Sequence, residues 1–220
     1  MIKKIFGFLL ALFLLPACIA VTINIYNQLS RVHNFSKSQT FFIWGLVAYL
    51  LFHIIFYKPD RFYILGHESM HALATLLSGG RVKSIKVSKK GGSTTTTKTN
   101  TFIYLAPYFF PVYTIIIALA YFLASFFYDI SKWTNLFMFL VGCSLSFHLV
   151  LTVDFLKVKQ PDLVQSGYLV SLFLIYIVNV SIATYILSLI FYDVSFADFL
   201  RSSAMTTKDI YTTVFSQLFL

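Results

Sequence analysis

The chain has 220 residues, of which 58% are hydrophobic, 19% aromatic and 11% charged, with a formal net charge of +9. A soluble domain carries about 25% charged residues, so this composition excludes an ordinary water-soluble fold and points to a bilayer as solvent. The positive charges fall in short loops (Lys3 and Lys4, Arg81 through Lys98, Lys157 and Lys159) with no stacking aromatics in a soluble segment; that excludes a nucleic-acid partner and fits loops lying beside anionic lipid.

A helix needs about 20 apolar residues to cross the hydrocarbon core. Runs of that kind lie near 5–27, 41–57, 102–127, 133–153 and 164–192, with a shorter apolar helix at 62–78. In the first, Cys18 follows Leu15-Pro16-Ala17 after a Lys-Lys start, a faint likeness to a lipoprotein cleavage site. The apolar continuation through Ile25 favours a membrane helix instead. Cys18 and Cys143 both fall inside apolar spans, so neither a disulfide framework nor a cysteine metal site is expected. A polar linker follows over 27–40, and the second span stops at "YKPDR", where Pro59 and three charges force a surface break.

The short helix runs to Ser78-Gly79-Gly80, where glycine suits a left-handed helix end. Beyond it, Ile85 and Val87 alternate with lysines, Gly91-Gly92 punctuates, and a threonine run follows. Alternation about a Gly-Gly turn predicts a β-hairpin, whose free edge could pair with an extended substrate. Pro107 and Pro111 in "LAPYFFPVY" predict a kink or partial unwinding of the third long span. The tail from Asp193 mixes charges with Phe and Leu at helical spacing and is expected along the membrane interface. The fold class expected is thus an all-α polytopic membrane protein with about six apolar helices and a small hairpin. Its parts are an N-terminal helix and linker (1–40), a membrane core (41–192) and the tail (193–220). Sidedness stays open: if the 62–78 helix crosses fully, the basic hairpin lies opposite Lys3 and Lys4, against the positive-inside tendency.

The chemistry concentrates in "GHESMHALATLLSGG". Glu68 is the only glutamate in the chain, and it stands between His67 and His71. Histidines four apart project from one helix face, one turn above the other, so both imidazoles can reach one zinc ion. Glu68 is displaced around the helix, where a carboxylate can act as base toward an activated water. An ionisable group at the centre of a membrane helix costs about 2.5–3.5 kcal/mol on insertion scales, which makes an idle glutamate there improbable. A hydrolytic zinc takes three protein ligands. The candidates for the third are Asp162, Asp154, His148 and the remaining histidines; Asp154 and His148 could instead orient the ligand imidazoles.

The stretch "GHESMHALATLLSGGRVKSI", followed by the hairpin and a proline-bearing span, resembles the site-2-protease superfamily of intramembrane zinc metalloproteases, most of all its compact M50B-like branch. The likeness covers roughly residues 41–192. It implies a Zn2+ cofactor, metal ligands His67 and His71, Glu68 as the catalytic base, and an aspartate where Asp162 stands. The implied substrate is a membrane-protein or membrane-adjacent peptide segment, in a bacterial cell membrane. The superfamily's Asn-Pro and Leu-Asp-Gly signature for the third ligand is not written here in that form. The other class open to these residues is a non-catalytic metal-binding membrane protein, used for holding clients, transport or sensing.

Overall fold

The computed structural model describes residues 2–56, 59–88, 91–158 and 160–219, with the side chains of residues 2–6 left aside. The helices are α1 (Ile2–Leu29), α2 (Lys37–Ile55), α3 (Asp60–Leu77), α4 (Thr101–Phe109), α5 (Val112–Ser125), α6 (Thr134–Leu156), α7 (Pro161–Ser166), α8 (Tyr168–Ile190) and α9 (Phe196–Phe219). One antiparallel hairpin, β1 (Val82–Ser88) with β2 (Gly91–Thr96), separates α3 from α4. Among the described residues four helices are long and apolar enough to cross a membrane, and five if α4 and α5 count together as one bent span.

Among the described residues six membrane-crossing helices are not shown, and two local causes account for the difference. Along α3 the apolar run is interrupted by Asp60, Arg61, His67, Glu68 and His71, so this helix falls outside that group. The predicted 102–127 span is broken: α4 and α5 meet at a 68° bend. Pro111 has no N–H to continue the ladder, and it forces the preceding Phe110 into extended backbone (φ −99°, ψ 121°). The predicted 164–192 run also opens with a break, at Gly167, whose φ of +90° ends α7 before α8 begins.

The chain divides into two compact units, Phe35–Gln165 and the remainder. In the first, α2 starts with a capping box, in which Ser36 and Gln39 each bond the other's backbone N–H. It then runs parallel to α6. Ser38 bonds Asn135 at one end (3.0 Å) and His53 meets Asp154 at the other (3.0 Å). Between these ties the backbones touch: a Cβ on Gly45 would lie 2.0 Å from the Phe139 carbonyl, and one on Gly142 2.1 Å from the Phe42 carbonyl. Small residues permit this close approach, which is a main source of helix affinity where the solvent is itself apolar. Helix α5 lies antiparallel to α6, joined by Thr114–Ser144 (2.9 Å) and Tyr121–Thr134 (2.9 Å).

Helices α3 and α4 form an antiparallel pair. Met70 and Ala74 pack on Ile103 and Ala106, while Gly66 lies against Val112 and Tyr113. Gly79 ends α3 in left-handed backbone (φ +74°), as its sequence suggested. In the hairpin, Ile85 pairs with Thr94 and Val87 with Gly92. The paired glycines therefore open β2, paired with Ser88 and Val87, and do not form the turn; residues 89–90 lie outside the described residues.

In the second unit, α1 runs parallel to α8, with Thr22 and Tyr176 hydroxyls 2.7 Å apart. Helix α9 runs antiparallel along α1: Gln28 accepts from the Ser195 N–H (2.8 Å), Asn24 donates to Thr206 (3.2 Å), and the Tyr211 hydroxyl donates to the Phe13 carbonyl. The tail helix thus uses its polar residues against buried polar residues of α1.

Candidate metal centre

Two imidazoles one turn apart on α3 and one carboxylate from α7 converge. His67 Nε2 lies 3.6 Å and His71 Nε2 3.3 Å from Asp162 Oδ2. Among the described residues, His67, His71 and Asp162 form a group able to hold a metal ion, with their ligand atoms all within 4.8 Å of one another. A tetrahedral ion bonded at about 2.0–2.1 Å holds its donors about 3.3 Å apart. The two histidine–aspartate separations are close to that spacing, so the donor set is one that could hold a small divalent cation.

Each ligand is positioned by its surroundings. His71 Nδ1 lies 2.8 Å from the Ile103 carbonyl on α4, which accepts the Nδ1 proton and leaves the Nε2 lone pair toward Asp162. The His67 ring stands edge-on to Tyr108 (4.9 Å) and to His71 (4.8 Å). Asp162 is carried in by the short Pro161–Ser166 helix, directly after α6 ends. Burial works against its charge, but hydrogen bonds and attraction from His67 and His71 prevail and hold its carboxyl well below the usual carboxylate range.

Glu68 is only 5% exposed and is not among the three converging ligands. It lines the same cavity of about 550 Å³ as His67, His71, Asp162, Thr94 and Tyr104. Its carboxylate accepts a hydrogen bond from the Thr94 hydroxyl of β2 (Oε2, 2.7 Å), and the same hydroxyl lies 3.1 Å from the Glu68 main-chain carbonyl. A Cβ on Gly92 would come within 2.5 Å of Glu68 Cγ and Oε1.

The other residues singled out for the third position lie apart from this cluster. Asp154 is 3.0 Å from His53 and 2.6 Å from Lys157. His148 is buried and lines a second, small pocket with Tyr63, His67, Pro107 and Phe147. Thr94, Gly92 and the Ile103 carbonyl were not legible in the sequence. The one available signal was the spacing 92, 94, which puts both residues on the same face of a strand.

Compared with protein families, with curated proteins and with solved structures, the chain matches none.

Proposed function

We propose that the protein is an intramembrane zinc metalloendopeptidase that hydrolyses peptide bonds in membrane or membrane-adjacent segments. The observation that carries this reading is the convergence of His67, His71 and Asp162 on one point, in a cavity that Glu68 also lines. Two imidazoles and one carboxylate are a donor set of hydrolytic zinc sites, which keep a position open. When bound there, zinc supplies Lewis acidity toward a carbonyl and lowers the pKa of water to about 7.

The chain's own residues divide the remaining work. Asp162 neutralises part of the cation's charge, and Ile103 fixes the tautomer of His71. The Glu68 carboxylate takes up the proton released as water attacks the peptide carbon, and it returns that proton to the leaving amine. The cavity of about 550 Å³ has room for a short extended segment beside these groups. A helical substrate must unwind locally before it enters, because its carbonyls are otherwise held in intrahelical bonds.

The test is elemental analysis of the purified protein beside cleavage of a generic unfolded membrane-protein substrate. About one zinc per chain is expected, largely lost in His67→Ala and in His71→Ala. Glu68→Gln is expected to keep the zinc and lose turnover by at least about 10²-fold. Unchanged cleavage by Glu68→Gln would falsify the mechanism. Zinc without any turnover in the wild type would leave a non-catalytic metal-binding membrane protein.

A further inference from the structure

We infer that the hairpin is a clamp on Glu68: Thr94 is a positioning residue that fixes the carboxylate, and Gly92 is the contact that lets the strand lie on it. The catalytic part of this inference rests on Glu68 acting as the base; the clamp itself rests on geometry alone. Glu68 belongs to α3 and Thr94 to β2, so their 2.7 Å bond ties the hairpin to the helix it packs on. The Thr94 hydroxyl has a single proton and two acceptors in reach on the same residue, Oε2 and the main-chain carbonyl. Whichever it serves, the hairpin stays on Glu68.

Gly92 explains how close the two elements come. Any side chain there would overlap the Glu68 side chain, with approaches of 2.5 Å to Cγ and Oε1. Gly92 and Thr94 share one face of β2, so the strand presents a gap and a donor, in that order, to one carboxylate. Opposite them on β1, Val87 and Ile85 complete the hairpin and remain exposed at 40% and 45%. The sheet therefore has little apolar burial of its own to hold it. A lone two-stranded hairpin is marginal at best in water, so its order depends on docking, and Thr94 supplies a hydrogen bond to the charged Glu68 side chain of α3.

The dependence runs in both directions. A carboxylate beside an intended metal position has several rotamers, and a base misplaced by about 1 Å can lose about 10²-fold in rate. Thr94 restricts Glu68 to one rotamer before substrate arrives. The threonine run after Gly91-Gly92 thereby has a position-specific member, Thr94, distinct from Thr95, whose side chain lies on the other face of the strand.

The experiment compares full-length wild type in detergent with Thr94→Val, Thr94→Ser, Gly92→Ala, Glu68→Ala and the Thr94→Val/Glu68→Ala pair, by amide hydrogen exchange. Valine keeps the shape of threonine and removes only the hydroxyl. Thr94→Val and Glu68→Ala should each speed exchange of the β2 amides by about tenfold or more, the loss expected for one bond to a charged group. The pair should be no faster than either single change, because both remove the same bond. Thr94→Ser should stay within about twofold of wild type, and Gly92→Ala should speed β2 exchange with Thr94 still present. Exchange in α2 and α6 should not move, which separates undocking from unfolding. Unaltered β2 exchange in Thr94→Val overturns the clamp.

On zinc-loaded protein with a labelled unfolded casein as probe, Thr94→Val should lower kcat by about tenfold or more with KM and zinc content retained, and Thr94→Ser should restore it. A fall in KM-dependent binding with unchanged kcat overturns the positioning role. Failure of the wild type to cleave at all counts against the peptidase reading, while β2 exchange still decides the clamp.

Discussion

Asp162 and Asp154 lie close together in the sequence and have different partners. Asp162 faces two histidines of α3, whereas Asp154 sits between His53 of α2 and Lys157 of its own turn. Replacing either by asparagine keeps the shape and removes the charge. A neutral amide oxygen is a poor zinc donor, so Asp162→Asn should insert and fold normally yet lose most of its metal by elemental analysis. Asp154→Asn should keep the metal, and its cost should appear in the α2–α6 pair, where His53 is left without its carboxylate. Exchanged phenotypes would mean that Asp154 carries the third bond. The separation of these roles was only half legible in the sequence. Both aspartates follow the same apolar run, and nothing local distinguishes a residue that turns back toward α3 from one that faces α2. The histidine pair with Glu68 was fully legible, because a four-residue spacing fixes the face of a helix without any tertiary information.

Among the elements, the α2–α6 pair depends on two glycines. Alanine at Gly45 would place its methyl group 2.0 Å from the Phe139 carbonyl, and at Gly142 2.1 Å from the Phe42 carbonyl. These are backbone atoms, so the helices must separate, as overpacking at about 1–3 kcal/mol describes. Gly45→Ala and Gly142→Ala should each lower the thermal midpoint in detergent, and the double variant should lose less than the sum, since both act by parting the same two backbones. Equal stability in all three would show that the crossing is looser than its geometry. The helices themselves were legible from apolar runs, and the break near Pro111 from its missing donor. Which helices touch was not, because Gly45 and Gly142 gain meaning only from each other, at a sequence distance that no local pattern spans. The same holds for the hairpin: alternation identified its strands, while the face resting on Glu68 is a tertiary fact.

For the whole molecule, the parallel course of α2 and α6 has a consequence for sidedness. Two parallel spans leave from the same face of a bilayer, so the chain between them must make an odd number of passages. Helix α5, antiparallel to α6, supplies one. The excursion through α3, the hairpin and α4 must then begin and end on one face, and α4, with nine residues, is too short to be a return crossing paired with α3. In the other unit α1 and α8 are likewise parallel, with Cys18 beside Phe173 and Thr22 beside Tyr176. Within the unit that holds α2 and α6, Arg61 and Lys157 then leave from one face, and Lys37 and Lys132 from the other. The positive-inside tendency then predicts that the face carrying the basic hairpin and Lys157 is the cytoplasmic one. Cysteines at Ser88, Ser30 and Asp129, in a background lacking Cys18 and Cys143, test it with an impermeant maleimide on intact cells. Ser30→Cys and Asp129→Cys should label, and Ser88→Cys only after lysis; labelling of Ser88→Cys together with Asp129→Cys on intact cells would refute the count. With Ser88→Cys protected on intact cells, Asp162, on the short helix that follows α6, would open toward the cytosol, and any ion reaching it would be drawn from the cell's buffered metal pool, not from the medium outside.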